Sequence, residues 1–368
     1  MEPLLMIPGP TPVDATVRAA LAEPVRSHTS GENAATLHRI AALLRPLFGT
    51  EQARIHVFGG SGTLAMEAAL VNHAAPGDRV VVASHGYFGD RFAEIAQALG
   101  MDADVVRAPW GAQVDAAELR RVCRSGRPPA LVTITHVDTS TGVLADVAAL
   151  SEAARQPATI VVLDGVCATG GIEERIDDWG VDVALTGAQK ALAVPPGLAI
   201  LAVSERARER RAGLGGVAAY YADLQRWDPV VDDPVRYFST HATGLLRGLE
   251  ASLEEIDAEG LEARFDRHVR LAERLRGGMV DLGFEPLTDA GSLASTLSVL
   301  AVPPGVDEAD LRLGMAQRGV IVAGCLGPLA GRGIRVGHMG SIGLPEIERT
   351  LAATAAALSG QAAVSQSS

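Results

Sequence analysis

Aromatic residues are scarce, at 4% of the 368-residue chain, and there are only three cysteines. So few large rings disfavour an aromatic-rich β-sandwich, and heavy use of Ala, Gly and Val favours tightly packed α/β layers. Cys123, Cys167 and Cys325 are widely spaced and odd in number, with no CxxC pair. Neither a disulfide framework nor a metal site is expected from them, and the usage fits a reducing compartment. Long hydrophobic runs are missing, so no membrane span is expected. The first residues, MEPLLMIPGPTP, lack the basic start and apolar stretch of a signal peptide. Basic residues are outnumbered, giving a net charge of −12, which argues against nonspecific binding to nucleic acid or anionic membrane. The expectation is a soluble, cytoplasmic protein.

What the chain does have is alternation of short apolar runs with longer amphipathic stretches. Residues 53–58, 79–84, 130–135, 159–164, 182–187 and 198–203 read as buried strands. Residues 63–74 and 89–100 read as helices between them. Strands apolar on both faces, separated by helices, imply a mostly parallel sheet covered on both sides. After about residue 245 the texture changes. A long helical pattern over 245–283 leads to strands at 295–302, 320–323 and 333–338, with helices at 307–319 and 344–358. The expected organisation is a lead-in at 1–15, a large α/β domain at 16–245 and a smaller α+β domain at 246–358. The polar tail 359–368 is expected to be disordered.

In parallel α/β sheets, ligands sit beyond the carboxyl ends of the strands. Gly59-Gly60-Ser61-Gly62-Thr63 follows the first strand and opens a helix, so it suits an anion such as a phosphate. It also reads as an ordinary capped βα turn, and it is not a dinucleotide fingerprint. Asp164 ends the apolar strand TIVVLD and needs a hydrogen-bond partner, a cation or solvent. It reads either as a structural cap or ion pair, or as the partner of a cationic ring nitrogen. Lys190 follows the strand DVALTG among small neighbours. It reads either as a surface lysine or as a desolvated, nucleophilic amine, and Pro195-Pro196-Gly197 behind it favours the second. Phosphate cradle, strand-end acid and strand-end lysine together describe a pyridoxal phosphate site, with Lys190 forming the Schiff base.

Eight segments in order make the likeness specific: PGPT (8–11), GGSGT (59–63), HGYFGDR (85–91), THVDTSTGV (135–143), VLDGVCATGG (162–171), TGAQKALAVPPG (186–197), YFSTHAT (237–243) and GIRVGHMG (333–340). Over about 340 residues the chain resembles the class V, fold-type I pyridoxal phosphate aminotransferases of the alanine–glyoxylate and serine–glyoxylate group. The resemblance implies roles residue by residue. Lys190 would carry the cofactor and shuttle the proton. Asp164 would pair with the pyridine nitrogen, and Ser61, Gly62, Thr63 and Gln189 would hold the phosphate. Thr139 would bond near the phenolic oxygen, Val166 would pack on one ring face and Phe88, in preference to Tyr87, on the other. Tyr237 and Thr240 would reach the phosphate of a neighbouring subunit, making the protein a homodimer with shared sites. Arg335 would clamp the substrate carboxylate, and Gly9 would also bind the substrate.

The implied reaction moves an amino group from a small amino acid, such as alanine or serine, to glyoxylate or pyruvate. The loop SHTSGEN departs from relatives that carry His-Arg, having Thr29 after His28, which bears on the substrate pocket. Trp110, His241 and His338 receive no role. Three other readings are a cysteine desulfurase-like lyase using Cys325, a transaminase of phosphonate amines, and a non-catalytic cofactor-binding protein.

Overall fold

The computed structural model describes residues 3–365. Its strands are β1 (Leu4–Leu5), β2 (Arg54–Gly59), β3 (Arg79–Ser84), β4 (Asp102–Arg107), β5 (Leu131–Thr135), β6 (Ile160–Asp164), β7 (Val183–Gly187), β8 (Leu198–Val203), β9 (Glu285–Pro286), β10 (Leu297–Ala301), β11 (Val320–Ile321), β12 (Ala323–Gly324) and β13 (Gly333–Gly337).

Seven of these form the central sheet in the order β2-β8-β7-β6-β5-β3-β4. All neighbouring pairs are parallel except those made by β8, which runs antiparallel to both β2 and β7. Alternate side chains leave a strand on opposite faces, and here each face meets its own core. Val161, Leu163, Ala184 and Ile200 pack to one side. Val162, Val183, Leu185 and Leu201 pack to the other, against Phe58, Phe92 and Trp227. This double burial is why these strands read as unbroken apolar runs.

The smaller sheet, in the order β12-β13-β10-β9, is antiparallel. It packs with helices Leu261–Asp281, Glu308–Gln317 and Leu344–Ser365 over Leu275, Met279, Met315, Ile334 and Val336. The N-terminal segment joins this unit: β1 pairs with β11, and Met6 is fully buried in the same core. The chain then crosses to the large sheet through Pro8–Thr11. There Thr11 N donates to Gln189 O at 3.1 Å, and Thr11 Oγ1 donates to Lys190 O at 2.8 Å.

Several expectations are corrected. The helical pattern over 245–283 is two helices, Thr243–Glu259 and Leu261–Asp281, parted at Gly260, whose φ of 81° favours glycine. The first of them inserts Leu246, Leu249, Leu253 and Ile256 into the large-domain core beside Val17 and Ile40, so that core takes in residues beyond 245. The last helix runs to Ser365, so residues 359–365 are helical rather than irregular. Ala-rich composition sustains it, and 366–368 lie outside the described residues. β4 was not anticipated. It is an edge strand whose exposed Asp102, Asp104 and Arg107 break the apolar run. Among the described residues, no helix is long and apolar enough to cross a membrane.

Candidate active site

The carboxyl ends of β2, β3, β5, β6 and β7 converge on one cavity of about 140 Å³. Ser61, Gly62, Thr63, Phe88, Thr139, Asp164, Val166, Gln189 and Lys190 all line it, together with Met66, Arg91 and Val137. Nine residues expected at one site from scattered sequence positions thus come together at the carboxyl end of the central sheet.

Ser61 is the N-cap of helix Gly62–Val71, its Oγ accepting from Leu64 N at 3.2 Å. The cap holds the first turn open, so its free N–H groups and the positive end of the helix face the cavity. Phe88 lies in the first turn of helix Tyr87–Ala98. Asp138 pins that turn: Oδ2 accepts from Phe88 N at 3.0 Å and Gly89 N at 3.1 Å, and Oδ1 accepts from Ser140 Oγ at 2.6 Å. Asp138 is fully buried and was missed in the sequence. The clue was an acid inside the polar run THVDTST, immediately beyond a buried strand.

The carboxylate of Asp164, the last residue of β6, accepts one hydrogen bond among the described residues, from Val166 N at 2.9 Å. Burial pushes its carboxyl up to about 7, against the pull of that bond and of Lys190. A cation beside it would keep it ionised. Lys190 is the single lysine in 368 residues, the other 31 of the 32 basic residues being arginine. That count is the plainest sequence signal for a dedicated amine. Its Nζ donates to Pro8 O, and a methyl built on Gly9 would come within 2.7 Å of that nitrogen. Gly9 has φ of 116°. It therefore serves Lys190 by close approach of its bare backbone, in a conformation that only glycine adopts readily.

Thr139 Oγ1 shares a hydrogen with Cys167 Sγ at 2.7 Å, and Thr139 O accepts from Arg335 Nη1 at 3.3 Å. Arg335 Nε donates to Gly324 O at 2.8 Å. Two carbonyls thus aim the guanidinium from β13, yet no carboxylate lies within ion-pair reach of it among the described residues. A planar guanidinium placed this way has the donor geometry to take a carboxylate through two hydrogen bonds. Cys167, buried between Thr139 and Lys190, was not singled out in the sequence. Arg91 was quoted in its motif without a role.

Tyr237 and Thr240 do not reach this cavity. Both are exposed, and the Tyr237 ring lies 5.2 Å from that of His28, beside the unusual loop containing Thr29. Cys325 is buried and burial pushes its thiol up to about 11, which suits a packed residue better than a nucleophile. Trp110, His241 and His338 do not line the cavity. His338 Nε2 bonds Ser298 Oγ at 3.0 Å, the His241 ring lies 5.4 Å from that of Trp227, and Trp110 covers Gly327. Among the described residues no cluster of His, Cys, Asp and Glu could hold a metal.

Comparisons with known proteins bear on the family and the fold. The family model "Aminotransferase class-V" matches residues 17–331. A protein of Synechococcus sp. (strain PCC 6716) named as the small subunit of a soluble hydrogenase is 35% identical over 359 residues, covering 96% of this chain and 92% of that one. L-aspartate–glyoxylate aminotransferase of Paracoccus denitrificans (strain Pd 1222) is 35% identical over 352 residues, covering 92% and 86%. The crystal structure of an alanine–glyoxylate aminotransferase from Nostoc sp. superposes with a TM-score of 0.94 at 31% identity, covering 97% of this chain and 96% of that one. Matched by the family model over most of its length and 35% identical to relatives along nearly all of it, the chain belongs to the class V aminotransferases.

Proposed function

We propose that the protein is a pyridoxal phosphate-dependent transaminase that takes the amino group of a small amino acid, such as alanine or serine, and gives it to glyoxylate or pyruvate. The observation that carries this is the meeting of the only lysine with the buried Asp164 and a helix N-terminus in one cavity. The residues suit the cofactor. Ser61 and Thr63 open a helix N-terminus on the cavity, Asp164 has a single hydrogen bond at its carboxylate, and Arg335 has no described acid beside it. Glyoxylate as acceptor is further supported by the Paracoccus and Nostoc relatives, both named glyoxylate aminotransferases.

When bound, pyridoxal phosphate supplies an aldehyde that exchanges amines and a ring that delocalises the electron pair left as the substrate Cα loses its proton. Lys190 would hold it covalently, and Asp164 would keep its ring nitrogen cationic. Ser61, Gly62, Thr63 and Gln189 would take the phosphate, Thr139 the phenolic oxygen, and Phe88 and Val166 the two ring faces. Arg335 binds the substrate α-carboxylate bidentately and so fixes which Cα bond faces Lys190. Lys190, freed by the incoming amine, would take that Cα proton as a neutral base and deliver it to the former aldehyde carbon on the far side of the bridging nitrogen, which is general acid–base catalysis worth roughly 10²–10⁴-fold.

The reading extends to a homodimer. Tyr237 and Thr240, exposed and away from their own cavity, would complete the phosphate site of a second copy, carrying the His28–Thr29 loop with them. All three cysteines are free, which supports a cytoplasmic setting. The test is a panel of amino donors and 2-oxo acids on purified protein reconstituted with pyridoxal phosphate. Visible absorbance that shifts on adding alanine or serine and returns with glyoxylate is expected. Protein that stays colourless with the cofactor, or whose spectrum no amino acid changes, overturns the reading.

A further inference from the structure

We propose that Arg91 is the charged anchor of the cofactor's phosphate group, a role that rests on the reading of this cavity as a pyridoxal phosphate site. The case begins with charge. A phosphate monoester carries about −1.5 to −2 at neutral pH, and a helix N-terminus offers about half a positive charge. The hydroxyls of Ser61 and Thr63 and the amide of Gln189 add none. Of the residues lining the cavity only Lys190 and Arg91 are cationic, and Lys190 is committed to the other end of the ligand. Without Arg91 the phosphate would be poorly neutralised in a partly buried site that already holds Asp164.

The placement of Arg91 fits that need. Its Nη1 donates to Thr63 Oγ1 at 3.3 Å, at the second residue of the helix whose N-terminus opens on the cavity. Its guanidinium carbon lies 4.8 Å from the centroid of the Phe88 ring and 5.1 Å from that of Tyr87. Phe88 and Arg91 are three apart on one helix and so share a face, and Asp138 fixes the start of that helix. No carboxylate pairs with Arg91 among the described residues. The acid beside it in sequence, Asp90, is engaged by Ser84 Oγ at 2.6 Å and by Arg107 Nη2 at 2.7 Å. The guanidinium is thus rigidly mounted on aromatic rings and left with unspent donors next to the phosphate cradle. Its planar fork suits two phosphate oxygens at once, which an ammonium would not match.

The experiment compares pyridoxal phosphate with pyridoxal, which has the same aldehyde and ring but no phosphate. Dissociation constants for both are measured by absorbance titration of wild type, Arg91→Met and Arg91→Lys. A charge-assisted bond of this kind predicts a loss of about 10-fold or more for pyridoxal phosphate in Arg91→Met. Pyridoxal affinity should stay within about 2-fold, since the phosphate contact is absent there. Arg91→Lys should recover part of the loss. Equal losses for both ligands would mean that Arg91 only supports the Phe88 ring, and the proposal falls. Unchanged affinity for both, with a raised KM for a dicarboxylic donor alone, would assign Arg91 to the substrate and also overturn it. If Arg91→Met does not fold, the comparison of the two ligands in Arg91→Lys decides in the same way. Wild type that binds neither ligand would instead bring down the reading on which this rests.

Discussion

Lys190 and Asp164 carry opposite burdens in this site, and each gives a prediction at the level of one side chain. Because Lys190 is the only lysine, borohydride reduction of the cofactor-loaded protein should fix the label on one peptide, containing residue 190, as mass spectrometry would show. Lys190→Ala should lower kcat by at least the roughly 10²–10⁴-fold attributed to the shuttled proton. Asp164 is costly to the empty protein. Its folded pKa of about 7 lies above the ordinary 3.8, so its contribution is most favourable below pH 3.8 and is lost as pH rises towards 7. About three pH units correspond to about 4 kcal/mol at most. Asp164→Asn should therefore stabilise the cofactor-free protein relative to wild type at pH 8, and much less at pH 4, in denaturant titrations. The ligand should reverse the order, since its ring cation removes the cost in wild type only. Arg335→Gln should raise KM for alanine about 10–100-fold, as expected for loss of a bidentate charged pair, while an amine without a carboxylate should be unaffected. Lys190 and Asp164 were legible because each charge follows an apolar run and has no neighbour to explain it. Asp138 and Cys167 were not, because the bonds that tie them to the site, Gly89 N to Asp138 and Thr139 to Cys167, span 49 and 28 residues of chain, and only folding brings those together.

Among the elements, the strand ends do the positioning, and they were readable for a physical reason. A parallel strand buried on both faces is a continuous apolar run, so where it ends is visible, and ligands gather there. β5, β6 and β7 illustrate this: each is buried throughout, and Thr139, Asp164 and Lys190 sit at or just beyond their ends. Edge strand β4 breaks the rule because its solvent side is charged. Helix ends were harder. Residues 245–283 show one periodicity, and the break at Gly260 depends on a backbone angle that a period does not encode. The same limit hid why Gly9 matters. The segment Pro8–Thr11 is held by the main chain of Gln189 and Lys190, and its glycine passes against the lysine side chain. Gly9→Ala would place a methyl 2.7 Å from Nζ in a strained conformation. Displacing either the segment or the amine should lower cofactor affinity while leaving the large sheet intact. Visible-absorbance titration together with far-ultraviolet circular dichroism would check this, with a weaker titration and an unchanged dichroism spectrum expected.

At the scale of the molecule, the question is how many chains make one site. The chain supplies Lys190, Asp164, Arg335 and the helix N-terminus by itself, yet Tyr237 is 65% exposed and lies outside its own cavity. Tyr220 is 67% and Val235 47% exposed nearby in sequence, an apolar fringe that a two-fold partner would cover. If each site borrows Tyr237 from the other copy, two defective chains can repair each other. In a mixed dimer of Lys190→Ala with Tyr237→Ala, the intact Lys190 of the second chain faces the intact Tyr237 of the first, and that site is complete. The other site combines both defects. Random pairing of equal amounts makes half the dimers mixed with one good site each, so activity should return to about a quarter of wild type. Each variant alone should stay below that, Lys190→Ala near zero and Tyr237→Ala weakened in cofactor affinity. Sites complete within one chain predict something different: activity of the mixture would simply be the average of the two pure variants. Co-refolding the two chains and assaying them against the unmixed controls separates these outcomes, and additive activity would remove Tyr237 from the site and the shared-site dimer with it.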